Sequence, residues 1–217
     1  MPYTKKDLQL SLLSGFIAGL LFAGILILRE TCSPLVNDLA PDICVPLTFA
    51  QLWPLAFIVP VLFLLGTWLG HVFSKHLPVL ATFSKYAAVG LLNTAIDFGV
   101  LAVLIYLTDY QKGETYKLVF LNSAAFLVAV VNSYYWNRLW SFQVRGSGSS
   151  GEFAQYVGVT LIGLLLNNTV IAIGTKNFEP FNGLTAQDWA LTVKGFGTIV
   201  SLIWNFVGYK FIVFRKS

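Results

Sequence analysis

Charge is what this chain has least of. Lys and Arg number 14 and Asp and Glu 10, together 11% of 217 residues; a soluble globular domain carries about 25%. So few charges cannot clothe a water-facing surface, and a soluble enzyme is excluded on that ground. The formal net charge of +4 calls for no nucleic acid or other acidic partner. Cysteine is nearly absent. Cys32 and Cys44 are too few for a disulfide-built fold; both lie in one connector, open to a disulfide or to two free thiols. The two histidines, His71 and His76, make no metal cluster. There is no nucleophile beside a base and no Gly-rich phosphate loop, so no catalytic residue, metal or cofactor is expected. Long connectors are missing too: the longest, Arg29 to Pro46, has 18 residues, too short for a soluble domain.

What is present is apolar sequence. Hydrophobic residues reach 56% and mean hydropathy is +0.72. A membrane span needs roughly 20 apolar residues. Six stretches qualify: Leu8–Leu28, Leu47–Gly70, Phe83–Leu107, Lys117–Phe142, Phe153–Gly174 and Ala190–Phe214. Nothing alternates as barrel strands would. The sequence predicts an all-α integral membrane protein of six transmembrane helices. Lys5 and Lys6 precede an apolar run too long for a signal peptide, and no small-residue cleavage site follows, so the first helix is read as uncleaved.

Orientation follows from the cations. With the N-terminus inside, Lys5, Lys6, Lys75, Lys85, Arg138, Arg145, Lys210, Arg215 and Lys216 are cytoplasmic; Arg29, Lys112, Lys117, Lys176 and Lys194 are outside. That bias puts both termini in the cytoplasm of a cell whose inner or plasma membrane the chain crosses.

Two-helix units recur. "FSKYAAVGLLNTAIDFGVLAV" from Phe83 aligns with "FAQYVGVTLIGLLLNNTVIAI" from Phe153, with Phe83/Phe153, Tyr86/Tyr156, Val89/Val159, Leu91/Leu161 and Ala102/Ala172 identical. The closing helices align too: Asn122 with Lys194, Arg138 with Lys210, Phe142 with Phe214. Each unit goes out and back, so the last four helices are read as two parallel repeats about an axis along the membrane normal. "RGSGSSGE" between them reads as a flexible linker. Residues 1–82 then hold two helices outside the repeat, and 83–215 a four-helix domain.

The motif "GLLNTAID" (Gly90 to Asp97), with "NRLWSF" (Asn137 to Phe142) and its later variant "NFVGYKFIVF" (Asn205 to Phe214), resembles the GtrA-like family of small membrane proteins. Tyr209 and Ile212 depart from the first copy's Asn137 and Trp140. The resemblance implies handling of polyprenyl-phosphate-linked sugars for cell-surface polysaccharide glycosylation, by translocation across the membrane or by anchoring a membrane glycosyltransferase.

Against that expectation stand the intramembrane polar residues. Asp97 costs roughly 2.5–3.5 kcal/mol at mid-membrane, and Asn93 lies one turn earlier on the same face. Asp97 is read either as a bundle-holding hydrogen-bond partner or as an acceptor for sugar hydroxyls or a coupled proton. Asn122, Asn132, Asn167 and Asn205 are read as interhelical bonds or as the lining of a sugar groove. The closing cations Arg138 and Lys210 satisfy helix dipole and positive-inside preferences, with Trp136, Trp140 and Phe142 as an aromatic belt. Arg138 beside Asn137 also suits bidentate phosphate capture, with the aromatic rings covering sugar or isoprenoid. Lys194 either snorkels outward or meets the phosphate at the outer leaflet. The leading reading is a flippase for a polyprenyl-phosphate-linked sugar, with a homodimer compatible with so narrow a bundle. The alternatives are a non-transporting glycosyltransferase scaffold and a proton-coupled small-molecule exporter.

Overall fold

The computed structural model describes residues 3–28, 48–108, 115–179 and 186–215. Cys32 and Cys44 lie outside the described residues, as do the side chains of Asn122 and Lys194.

All described secondary structure is helical, as apolar chain must be where no water can bond its backbone. The helices are α1 (Lys5–Leu28), the short α2 (Phe49–Leu52), α3 (Leu55–Phe73), α4 (Val79–Leu107), α5 (Thr115–Trp136), α6 (Ser150–Asn177) and α7 (Ala186–Gly208). Two π-helical turns, Asn137–Ser141 and Tyr209–Val213, follow α5 and α7 directly. Among the described residues five segments are long and apolar enough to cross a membrane: Lys5–Ile27, Ala50–Phe73, Val79–Leu107, Ser150–Gly174 and Phe196–Val213.

Some helices start earlier than the apolar runs suggest. The stretch read as a linker stops at Ser149, whose side chain accepts a hydrogen bond from the Glu152 amide. This Ser-x-x-Glu cap satisfies an otherwise orphaned N–H and starts α6 at Ser150.

The chain divides into two compact units, Met1–Gln143 and Val144–Ser217. In the first, α1 packs on α3 and α4, and α4 also packs on α5. Glycine sets the α1–α3 approach. A side chain at Gly15 would strike the backbone of Pro60, and one at Gly19 the backbone of Leu55 and Ala56. Ala18, Phe63, Ala88, Val89, Leu92, Ala95 and Trp140 form the core, drawn from α1, α3, α4 and the first π turn. The second unit is the α6–α7 pair with its π turn. There Gly163 receives Asn205, Gly197 receives Asn167, and Gly208 receives Val159. Small residues bring these helices together by backbone approach.

Candidate functional site

Helical spacing puts Asn93 and Asp97 one turn apart on one face of α4. The structure brings Asn132 of α5 to that face: its Nδ2 donates to Asn93 Oδ1 at 2.6 Å. Ala125 and Ala129, on the same stripe of α5 as Asn132, are buried. The network is incomplete. Asn93 Nδ2 and Asp97 Oδ1 are buried, and neither finds a hydrogen-bond partner among the described residues. One is a donor, the other an acceptor. Buried polar atoms are normally paired because desolvating them costs free energy. A hydroxyl can accept from the first and donate to the second, so this strip has the chemistry of a polyol site.

About 12 Å along α4 from Asn93, toward its start, lies Lys85. The end of the unit around it is knit together. Thr4 and Asp7 form a reciprocal cap on α1: the Thr4 amide and hydroxyl donate to Asp7 Oδ2 at 3.1 and 2.8 Å, and the Asp7 amide donates to Thr4 Oγ1 at 3.1 Å. The other carboxylate oxygen, Oδ1, pairs with Lys85 and accepts from the Trp140 indole N–H at 3.1 Å. Nearby, Tyr3 and Ser11 meet Thr67 of α3 at 2.9 and 2.8 Å. The starts of α1 and α4, the end of α3 and the first π turn therefore share one end of the unit. Sequence reasoning missed Asp7 and counted Lys85 only among the cytoplasmic cations that set orientation. The available signal was the Thr-x-x-Asp cap within an otherwise basic terminus.

That first π turn carries the residues singled out as a phosphate clamp. The Phe142 amide donates to Asn137 O at 2.8 Å, five residues back. This widened turn packs Asn137, Arg138, Trp140 and Ser141 inward. Arg138 is only 5% exposed, not splayed to solvent as a topological anchor would be. Asn137 Nδ2 donates to Ser133 Oγ at 3.3 Å. Trp140 is turned into the core, edge-on to Trp136 with ring centroids 5.7 Å apart. Phe142 contacts Tyr86 at 6.4 Å. The chain leaves the turn through Gln143, at φ 54°, in the left-handed region that non-glycine residues seldom enter.

The second π turn sits 72 positions later, closed by Phe214 N–H to Tyr209 O at 2.7 Å. It is pinned by different chemistry. Tyr209 is buried, stacks on Tyr156 at 4.1 Å and shares a 2.6 Å hydrogen bond with Thr160. Phe214 meets Tyr156 at 5.9 Å. Ile212, in the place of the first copy's Trp, is 53% exposed. Lys210 lies over the rings of Phe206 and Phe211, at 5.9 and 5.3 Å. Deeper in this unit, Asn167 Nδ2 reaches Thr198 Oγ1 at a long 3.4 Å, and Asn205 Oδ1 is buried without a hydrogen-bond partner among the described residues. The predicted polar residues thus assemble as Asn93–Asp97–Asn132 in the first unit and as Asn167 and Asn205 along α6–α7 in the second.

Residues 85–214 match the GtrA/DPMS transmembrane domain. Over 139 residues, 64% of this chain, the sequence is 31% identical to the prophage bactoprenol-linked glucose translocase homolog of Escherichia coli, covering 99% of that protein. The bactoprenol-linked glucose translocase of Shigella phage SfX matches to the same extent. The membrane protein YngA of Bacillus subtilis is 27% identical over 137 residues, 63% of this chain and 81% of its own length. No solved structure matches the chain.

Proposed function

This chain belongs to the GtrA/DPMS transmembrane-domain family, and we propose that it flips a polyprenyl-phosphate-linked sugar across the membrane that holds it, for cell-surface polysaccharide glycosylation. Relatives named as bactoprenol-linked glucose translocases support this, since this chain covers nearly their whole length. The observation in the structure that carries it is the unmatched donor and acceptor at Asn93 and Asp97, inside a membrane-length helix. A sugar hydroxyl matches both, whereas an isoprenoid tail matches neither and stays in lipid.

The domain, residues 83–215, works as two parallel repeats in this reading. The paired π turns at an interval of 72 residues, each followed by a Phe against the aligned Tyr, support it. With α5 as a further span, the chain crosses six times and both termini are cytoplasmic. Lys5, Lys6, Lys75, Lys85 and Arg138 fall at ends or connectors that share one face of the first unit, as the positive-inside rule asks. Asn137 and Arg138 receive the phosphate there, with Trp136 and Phe142 beside the headgroup and Lys210 in the corresponding role in the second repeat. Asn132 serves the sugar in the first unit, and Asn167 and Asn205 have that role in the second; Asn122 and Lys194, aligned with each other in the sequence, are the residues proposed to meet it at the outer leaflet. The protein is a transporter, not an enzyme. A membrane glycosyltransferase that loads the lipid on the cytoplasmic face is the partner it requires.

Binding tests this reading. The purified chain should bind a short-chain polyprenyl-phosphoryl hexose, and Arg138→Ala should abolish binding while the protein stays folded. Folded wild-type protein that binds no such lipid, across several hexoses, would point to a scaffold instead.

A further inference from the structure

We propose that α1, which lies outside the matched family region, is a positioning element for the phosphate-binding turn: Asp7 holds Trp140, and through it the π turn that carries Asn137 and Arg138. The inference rests on the reading above for what the turn binds, but the brace itself is a matter of geometry.

The start is the carboxylate of Asp7, buried at one end of the first unit. Its Oδ2 is committed locally, to the Thr4 amide and hydroxyl that cap α1. Its Oδ1 is committed to the family domain, to Lys85 of α4 and to the Trp140 indole N–H. Both sides of the carboxylate are thus used, one to fix its own helix and one to grip two others. A buried indole N–H requires an acceptor. Asp7 supplies that acceptor, and Lys85 neutralises the charge that comes with it.

The second π turn is the internal comparison. Its hydroxyl-bearing Tyr209 pins it from within the unit, to Thr160 and Tyr156. Correspondingly, the position of Trp140 is an exposed Ile212, and the position of Lys85 is an exposed Gln155. The turn that has its own pin has no use for an outside carboxylate. The turn that carries Arg138 has Asn137 in the place of Tyr209, bonded to Ser133 of α5, and is tied in addition to α1 through Trp140. Trp140 lies two residues beyond Arg138, within the same five-residue turn. A shift of the indole therefore moves the guanidinium. The translocases matched over 99% of their length by 139 residues of this chain leave no length for an additional pair of helices such as α1 and α3, and α1 lies outside the matched family region, residues 85–214.

The test is hydrogen exchange on the full-length protein in detergent micelles. Trp140→Phe keeps an aromatic ring in the core but removes the N–H together with part of the indole; Asp7→Leu removes the acceptor and leaves the indole intact. Each should speed amide exchange across 137–142 by about tenfold or more, as expected for loss of a charge-assisted hydrogen bond. The 209–214 turn should stay within about twofold of wild type. Affinity for a short-chain polyprenyl-phosphoryl hexose should drop several-fold in both variants, with no further drop when they are combined. Unchanged exchange at 137–142 in Trp140→Phe overturns the brace. So does equal acceleration of both turns, which would mean general loosening, and so does normal affinity despite local loosening. If wild-type protein binds no polyprenyl-phosphoryl hexose, the translocation reading fails, while the exchange comparison still decides whether α1 braces the turn.

Discussion

Asn132 and Asn93 meet across the α4–α5 interface through a 2.6 Å hydrogen bond, and that bond uses only half of the Asn93 amide. The remaining N–H, with the unmatched Asp97 oxygen one turn away, leaves a strip that fits a hydroxyl-rich guest better than it fits itself. Stability alone would have filled the site with apolar side chains or completed the network.

Replacing Asn132 with Leu removes the donor and leaves Asn93 Oδ1 bare as well. Interhelical bonds of this kind contribute about 0.6–2 kcal/mol, so the thermal midpoint in detergent should fall slightly. Flipping should fall more steeply, by about tenfold if one charge-free hydrogen bond to the sugar is misplaced as well. Equal modest losses in both would mark the pair as packing alone.

Asp97 separates stability from function more sharply. Asp97→Leu deletes a buried oxygen that has no partner among the described residues, a change expected to be neutral or stabilising. The same change should suppress transport, whereas Asp97→Asn, which keeps an acceptor, should retain much of it. A Leu variant that is destabilised and fully active would mean the carboxylate holds the bundle together.

At the π turn, the account predicts that charge is not enough. Arg138→Lys retains the cation but loses the planar fork that engages phosphate bidentately. Affinity for the lipid-linked sugar should drop by about an order of magnitude, which is about 1.4 kcal/mol. Lys210→Arg, at a half-exposed side chain lying over two phenylalanines, should change affinity little. The check is a titration of each variant with one short-chain lipid.

The Asp7–Lys85 pair gives a stability prediction independent of transport. Removing one member of a buried pair typically costs about 3–5 kcal/mol, while replacing both by apolar residues recovers most of it. Asp7→Ala should therefore melt well below wild type, and Asp7→Leu combined with Lys85→Met should melt closer to it but still short of it, because the Trp140 indole N–H and the Thr4 cap lose their acceptor. An unaltered midpoint in Asp7→Ala would show that water reaches Lys85 and that the pair is a surface one.

Much of this was legible in the residues. Apolar length announces membrane helices because lipid leaves the backbone no other partner, and the i, i+4 spacing of Asn93 and Asp97 already placed both on one face. The α5 stripe Ala125–Ala129–Asn132 was visible for the same reason, and it faces inward as its small side chains imply. Other features were hidden for physical reasons. The π turns left no pattern to read, since each is five residues long and closes its helix, with no helical stretch after it to show a shifted phase. The start of α6 was set by the Ser149 cap rather than by hydrophobicity. Lys85 reads locally as one more inside-positive charge, and only tertiary packing brings residue 7 to it and to Trp140. Asn205 stood out in the sequence as an intramembrane amide, but its contact with Gly163 did not, because only the fold shows that the glycine leaves room for the amide.

The measurement closest to the central claim is transbilayer movement in liposomes reconstituted with about one protein per vesicle. A short-chain polyprenyl-phosphoryl hexose is placed in both leaflets, and an impermeant reagent reports the outer pool over time. The account predicts that wild-type protein exposes the inner pool as well, and that Asp97→Leu and Arg138→Ala, folded and inserted to the same extent, do not. Protein-containing vesicles in which the inner pool stays protected for every hexose tried, as in empty ones, would contradict it.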